Sequence, residues 1–171
     1  SIRCYVTHAE NLTYDNSERK SLLNELRREE AALELNTDKP YFAFQRRIED
    51  ARDRLQRLLK SIKAQNKTVH VYGASTKGNV LLQWCNIDNQ LVDCAADRNP
   101  DKHGARTLGT DIPIVSEEES RARRPDYYLV LPWHFQSEFL QRERQTILSG
   151  TQMIFPLPEV RIVGKEQLPP Q

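Results

Sequence analysis

TVHVYGASTKGN, Thr68 to Asn79, is the stretch on which the reading of this chain turns. A β-branched run, Thr68 to Val71, passes through Tyr72 into a turn bounded by Gly73 and Gly78, and the amphipathic run Asn79-Val-Leu-Leu-Gln-Trp-Cys85 follows. Strand, glycine turn and helix in that order set bare backbone N–H groups at a helix N-terminus. Those amides and the positive end of the helix dipole both favour an anion, so a phosphate-bearing ligand is the first expectation. The pattern is G-x-x-x-x-G followed by Asn79. It lacks the Lys-Ser/Thr that completes a Walker loop and the third glycine of a dinucleotide fingerprint.

Downstream, strands and helices alternate. Strands are expected at Thr68–Tyr72, Leu91–Ala96, Tyr127–Leu131 and Thr151–Phe155, with short ones at Ile112–Ile114 and Val160–Val163. Helices fill the gaps at Lys77–Cys85, Ser116–Arg121 and Phe135–Leu148. This alternation implies right-handed βαβ units. The expected fold class is therefore α/β, a Rossmann-like, mostly parallel sheet with flanking helices over residues 67–171.

Upstream, residues 1–66 read as a connecting strand and two helices. Ile2 to Thr7 alternates apolar and polar positions, a half-buried strand pattern that needs a sheet to join. A polar helix is expected from Glu18 to Leu35, with N-cap candidates at Asp15-Asn16-Ser17. A longer helix follows Pro40, with apolar residues at Tyr41, Phe44, Ile48, Ala51, Leu55, Leu58 and Ile62. That narrow stripe fits either a coiled-coil seam or a helix packed on its own domain with a charged back in solvent.

The 171 residues suit one domain with an appendage, and the 25 basic and 24 acidic residues cancel almost completely. That balance gives no general field for nucleic acid or a membrane surface, and no apolar run reaches the roughly 18 residues of a membrane span. No signal peptide is visible. Cys4, Cys85 and Cys94 are odd in number without CxxC spacing, so reduced thiols and a cytoplasmic location are expected. The chain opens at Ser1 inside a strand-like run, which suggests a piece of a longer protein.

In an open α/β sheet, ligands sit beyond the carboxyl ends of the strands. Three segments should meet there. In the turn, Gly73, Ser75, Thr76, Lys77, Gly78 and Asn79 offer backbone amides, two hydroxyls and a cation; the plainer alternative is a capping turn with Lys77 in solvent. After the second strand come Asp97, Arg98 and Asn99, with Lys102 beyond. An acid about 20 residues past the glycine turn is where dinucleotide folds bind a ribose; alternatively Asp97 caps its own loop. After the Tyr127 strand come Pro132, Trp133 and His134, offering a stacking face and a titratable ring, or simply an aromatic anchor and a helix cap. No metal-ligand spacing and no G-x-S-x-G elbow occurs, so no catalytic residue and no metal ligand is assigned.

The ordered runs VYGASTKGNVLLQWCNI, AADRNPDKHG, LGTDIPI, PDYYLVLPWHF and MIFPLPEVRIV resemble the C-terminal domain of sugar C-methyltransferases. SIRCYV and the Tyr41-Phe-Ala-Phe44 helix resemble the segment joining that family's middle and last domains, so the likeness spans nearly the whole chain. It implies a parent that uses S-adenosylmethionine to methylate a carbon of a nucleotide-linked deoxysugar. Zinc, S-adenosylmethionine and the catalytic base are implied to lie in upstream domains, with no cofactor held by these residues. The matching positions are Gly73, Ser75, Thr76, Lys77, Gly78 and Asn79, then Asp97, Arg98 and Asn99, then Pro132, Trp133 and His134. Thr76 stands where the family often has Ala. The resemblance moves the expected ligand from a redox dinucleotide to the diphosphate and sugar of a nucleotide-sugar, with the methyl-donor domain of the same chain as partner. Two alternatives remain: an NAD(P)- or other dinucleotide-binding module, and a helix-mediated interaction protein.

Overall fold

The computed structural model describes residues 6–11 and 17–168. Most of the expected Ile2–Thr7 strand, with Cys4, lies outside the described residues, as do Asp15 and Asn16; Val6 and Thr7 carry no regular structure. The chain divides into two compact units, Ser1–Arg47 and Ile48–Gln171.

The first unit holds α1 (Ser17–Ala32) and the opening of α2 (Lys39–Ala64). None of the residues of α1 is buried, and Leu22, Leu23 and Leu26 stand exposed. The helix stops at Ala32, short of the expected Leu35, because the backbone turns left-handed at Glu34 (φ 54°) and the Leu35 amide reaches back to the Glu30 carbonyl. Pro40 occupies the first turn of α2, where its missing N–H costs nothing.

In the second unit a six-stranded sheet has the order β3-β2-β1-β4-β5-β6. The strands are β1 (Val69–Tyr72), β2 (Cys94–Asp97), β3 (Ile114–Ser116), β4 (Tyr127–Val130), β5 (Gln152–Phe155) and β6 (Arg161–Val163). All pairings are parallel except that of β6 on β5. This is the expected α/β class. Strand order reverses between β1 and β4, so the two halves wind in opposite directions from that point. Every residue of β1 and β4 is buried, as central parallel strands covered on both faces require.

The period of two sorts the strand residues to two cores. Val69, Val71, Leu129 and Ile154 join Leu55, Leu59 and Ile62 of α2 and Leu81 and Leu82 of α3 (Thr76–Trp84) on one face. Tyr72, Tyr128, Val130, Met153 and Phe155 join Leu140 and Ile147 on the other. Each fully buried Leu or Ile contributes about 1.5–3 kcal/mol. Leu59 widens the narrow stripe read from the sequence, and this half of α2 packs on its own domain. Asn66 (φ 58°) and Asn86 (φ 48°) close α2 and α3 in the left-handed region, where Asn is tolerated as a helix stop.

The second face carries α4 (Glu117–Ala122), α5 (Gln136–Arg142) and α6 (Arg144–Leu148). The single helix expected over Phe135–Leu148 is broken at Glu143 (ψ 16°), whose carboxylate is held inward among cations and hydroxyls. The second strand also begins later than expected: Leu91 and Val92 close a turn on the Asp88 carbonyl before β2 starts. Among the described residues no helix is long and apolar enough to cross a membrane. Cys85 and Cys94 are free and buried, and burial pushes both thiols up to about 11, which leaves them unreactive.

Candidate functional site

The carboxyl ends of β1 and β4 meet where the strand order reverses. Gly73 ends β1 at φ 87°, with its amide donating to the Ala96 carbonyl at 2.8 Å. A β-carbon there would come within 3.0 Å of Pro132 Cγ, so the two strand-end loops touch directly and glycine serves both the φ and the contact. Gly78 has another task. A β-carbon at Gly78 would lie 2.5 Å from Leu131 Cδ1, so its bareness lets α3 settle against the strand layer.

Ser75 is the N-cap of α3, its Oγ accepting from the Gly78 amide at 3.1 Å. Its hydroxyl proton remains available to a ligand. Thr76 and Lys77 form the exposed first turn. Their amides, two of the orphan donors every helix start leaves, have no partner among the described residues, and Lys77 has no carboxylate partner there either. Asn79 donates from Nδ2 to the Leu108 carbonyl at 3.1 Å, while its buried Oδ1 has no partner.

Asp97 is committed to the protein. One oxygen accepts from the Ala74 amide at 2.9 Å and the Lys102 ammonium at 3.0 Å, and the other accepts from the Asn99 amide at 2.9 Å. Lys102 also donates to the Ala74 carbonyl at 3.0 Å. Asp97 and Lys102 thus lash the glycine turn to the loop after β2. Asn99 caps the short 3-10 turn Pro100–Lys102 by accepting from the Asp101 amide. Arg98 is exposed and leans toward Glu117, 3.5 Å away, rather than toward the turn.

Pro132 leads into a 3-10 turn, Trp133–Phe135. Trp133 is half-buried and packs against both cores, with the exposed His134 ring edge-on at 5.7 Å. Trp133 and Lys77 line one groove of about 320 Å³, together with Ile48, Arg52, Val80 and Trp84. Ser75, Thr76 and Asn79 line a separate hollow of about 270 Å³ with Arg106, Thr107 and Leu108. The fold therefore gathers the turn, Pro132 and Trp133, and turns Asp97 and Asn99 to loop-holding.

Sequence reasoning missed a cluster beneath the same strand end. The Tyr72 hydroxyl donates to Glu143 Oε1 at 2.7 Å and accepts from Arg142 at 2.6 Å. Arg121 grips Glu143 through two nitrogens, at 2.8 and 3.1 Å, and also binds Glu117 at 2.9 Å. Burial opposes ionisation of Glu143, yet hydrogen bonds from Arg121, Tyr72 and Thr146 outweigh it and hold the carboxyl below its ordinary value. Burial, with the Glu143 bond next, pushes the Tyr72 hydroxyl far up, so it remains a phenol. One signal existed: Glu143 falls four residues after Phe139 and four before Ile147, an acid on the buried stripe.

His70, also on this face, bonds through Nδ1 to Ser120 Oγ at 2.8 Å, which in turn meets the Tyr128 hydroxyl at 2.8 Å. Burial lowers His70 to about 4, so the ring is neutral. With Ser120 wholly enclosed, this chain is structural. Among the described residues no group of three or more His, Cys, Asp or Glu could hold a metal ion.

A doubly wound sheet whose order reverses between β1 and β4, with a glycine turn and a Ser75-capped helix at that edge, defines a Rossmann-like domain. The chain belongs to the C-methyltransferase C-terminal domain family, whose model matches residues 1–158. C-methyltransferase NovU of Streptomyces niveus is similar to it, 35% identical over 126 residues. The matched part covers 74% of this chain and 30% of that protein, so the chain spans under a third of the relative's length. The family resemblance carried by the ordered motifs is borne out.

Proposed function

We propose that this domain holds the nucleotide-sugar substrate of an S-adenosylmethionine-dependent methyltransferase acting on a deoxysugar carbon. The observation that carries the reading is the first turn of α3: the Thr76 and Lys77 amides and the Lys77 ammonium lack partners among the described residues, beside a hydroxyl cap and an indole. A diphosphate supplies what those groups lack, acceptor oxygens and negative charge. In this reading the domain binds and orients, while another domain of the same protein presents the methyl donor. In this reading S-adenosylmethionine and zinc belong to that other part.

The arrangement of Asp97 weighs against a dinucleotide cofactor. Its side chain is only 12% exposed and already takes three protein donors, which leaves ribose hydroxyls little access to the acceptor capacity that remains.

Calorimetry with a thymidine diphosphate sugar tests the proposal. Binding is expected, weakened about tenfold or more by Lys77→Ala through loss of one charge-assisted contact. Tight binding of S-adenosylmethionine, or of NAD in preference to the nucleotide-sugar, overturns it.

A further inference from the structure

The three ways out of the glycine turn differ sharply. Toward β2, the way is closed by Asp97 and Lys102, which bind both the amide and the carbonyl of Ala74. Toward the Leu108 loop, Asn79 and Gln83 both donate to the Leu108 carbonyl and draw that loop against α3. The hollow there has Arg106 and Thr107 in its wall and no aromatic ring. Toward α2, the way opens into the apolar groove of about 320 Å³ within the second unit, a size that suits a small-molecule site.

The groove has a direction. Lys77, Val80, Leu81 and Trp84 fall at i, i+3, i+4 and i+7, one face of α3 that carries a cation at the turn and an indole at the far end. Seven residues of helix span about 10 Å, comparable to the distance from the terminal phosphate to the ring in a nucleoside diphosphate. Val80 and Trp84 are 63% and 48% exposed, although each is a large apolar side chain beside a core. The Arg52 guanidinium lies 5.5 Å from the centre of the Trp84 ring and steadies it.

We propose that the groove formed by Trp84, Trp133, Val80 and Leu55 seats the base of the nucleotide whose diphosphate rests on Ser75–Lys77. This rests on the nucleotide reading above and adds the direction in which the ligand lies: along α3 toward α2, away from Asp97. Charge complementarity selects this occupant. Among the described residues Arg52 is paired with Asp53, and the groove's cation without a carboxylate partner, Lys77, stands at the turn end; the far end is aromatic, so a ligand with an anionic head and a planar ring matches both.

The experiment measures thymidine diphosphate and inorganic pyrophosphate binding to the intact chain by calorimetry, with tryptophan emission as a second readout. Trp84→Ala is expected to weaken thymidine diphosphate about tenfold, the scale of one base–aromatic stack, and Val80→Gln, which makes the apolar wall beside it polar, to weaken it in the same direction. Pyrophosphate affinity should stay within about twofold, since neither variant touches the phosphate end. Trp84→Phe, which keeps a ring, should retain most of the nucleotide affinity, and a thermal melt of each variant verifies the fold. Unchanged nucleotide binding in both variants overturns the seat, as expected if the groove takes a protein segment instead. Nucleotide binding no tighter than pyrophosphate overturns it while leaving the phosphate site standing. Failure of the unaltered chain to bind either ligand removes the nucleotide reading itself, and the seat with it.

Discussion

The two ends of β1 are built on opposite rules. At its start, Asp126 accepts from the Thr68 amide at 2.8 Å and the Thr68 hydroxyl at 2.9 Å, while Asp93 accepts from the Val69 amide at 2.9 Å and from Lys63. At its finish, the strand runs into a turn where the Thr76 and Lys77 amides and the Lys77 ammonium have no partner among the described residues. Polar groups satisfied within the chain add to stability, whereas donors left at a helix start remain available to a ligand. Beneath the open turn, Tyr72 is fixed by Glu143 and Arg142, so the unsatisfied end sits on a rigid base.

The comparison can be broken most strongly at that base. Glu143→Ala leaves Arg121 and the Tyr72 hydroxyl without their shared acceptor. Urea denaturation should show a loss of roughly 2–3 kcal/mol, below the value for a wholly enclosed pair because the Arg121 side chain is 38% exposed. Gly78→Ala comes next. Its new methyl would lie 2.5 Å from Leu131 Cδ1, and overpacking of this kind costs about 1–3 kcal/mol. Because α3 must shift, ligand affinity at the turn should fall in the same variant.

At the satisfied start, Asp126→Ala removes the acceptor of two Thr68 bonds and should cost about 1–2 kcal/mol, with nucleotide binding unchanged by calorimetry. Acid probes the same end and the buried ring near it. His70 titrates at 6.5 when unfolded and at about 4 when folded, so the unfolded chain takes up the proton first. Stability is full above about 6.5 and declines as pH falls toward 4, and a thermal melt series should show that decline flattened in His70→Gln. Asp126, held below its ordinary 3.8 first by the Thr68 amide, adds a loss only at lower pH still. The smallest effect on stability belongs to the open end. Lys77→Ala should change the unfolding free energy from urea denaturation by less than about 0.5 kcal/mol while weakening nucleotide binding, which separates stability from affinity.

Much of this was legible in the residues. The β-branched run Thr68 to Val71, leading through Tyr72 into the glycine turn, marked β1 as a strand. Gly73, Ser75 and Gly78 marked a strand-to-helix turn because only small or capping residues suit those places. The site was legible in part. Asp97 read equally well as a ribose ligand or a loop cap, since a carboxylate at a strand end has both capacities until its neighbours are known. Lys102, five residues on, is what occupies it. Trp84 read as one apolar position in a helix, and its half-exposed face beside Arg52 and Trp133 depends on elements far apart in the chain.

Local pattern by itself determined the alternation of strands and helices, the glycine turn and the family, because each depends on periodicity or on residues a few positions apart. The tertiary structure alone decided which polar groups are spent and which remain open. That Asp97 lashes a loop, that Glu143 breaks a helix to bind Arg121 and Tyr72, and that Lys77 faces an apolar groove all depend on partners brought together by the sheet order. A side chain's hydrogen-bonding capacity is written in its type, but its satisfaction is a property of the surroundings.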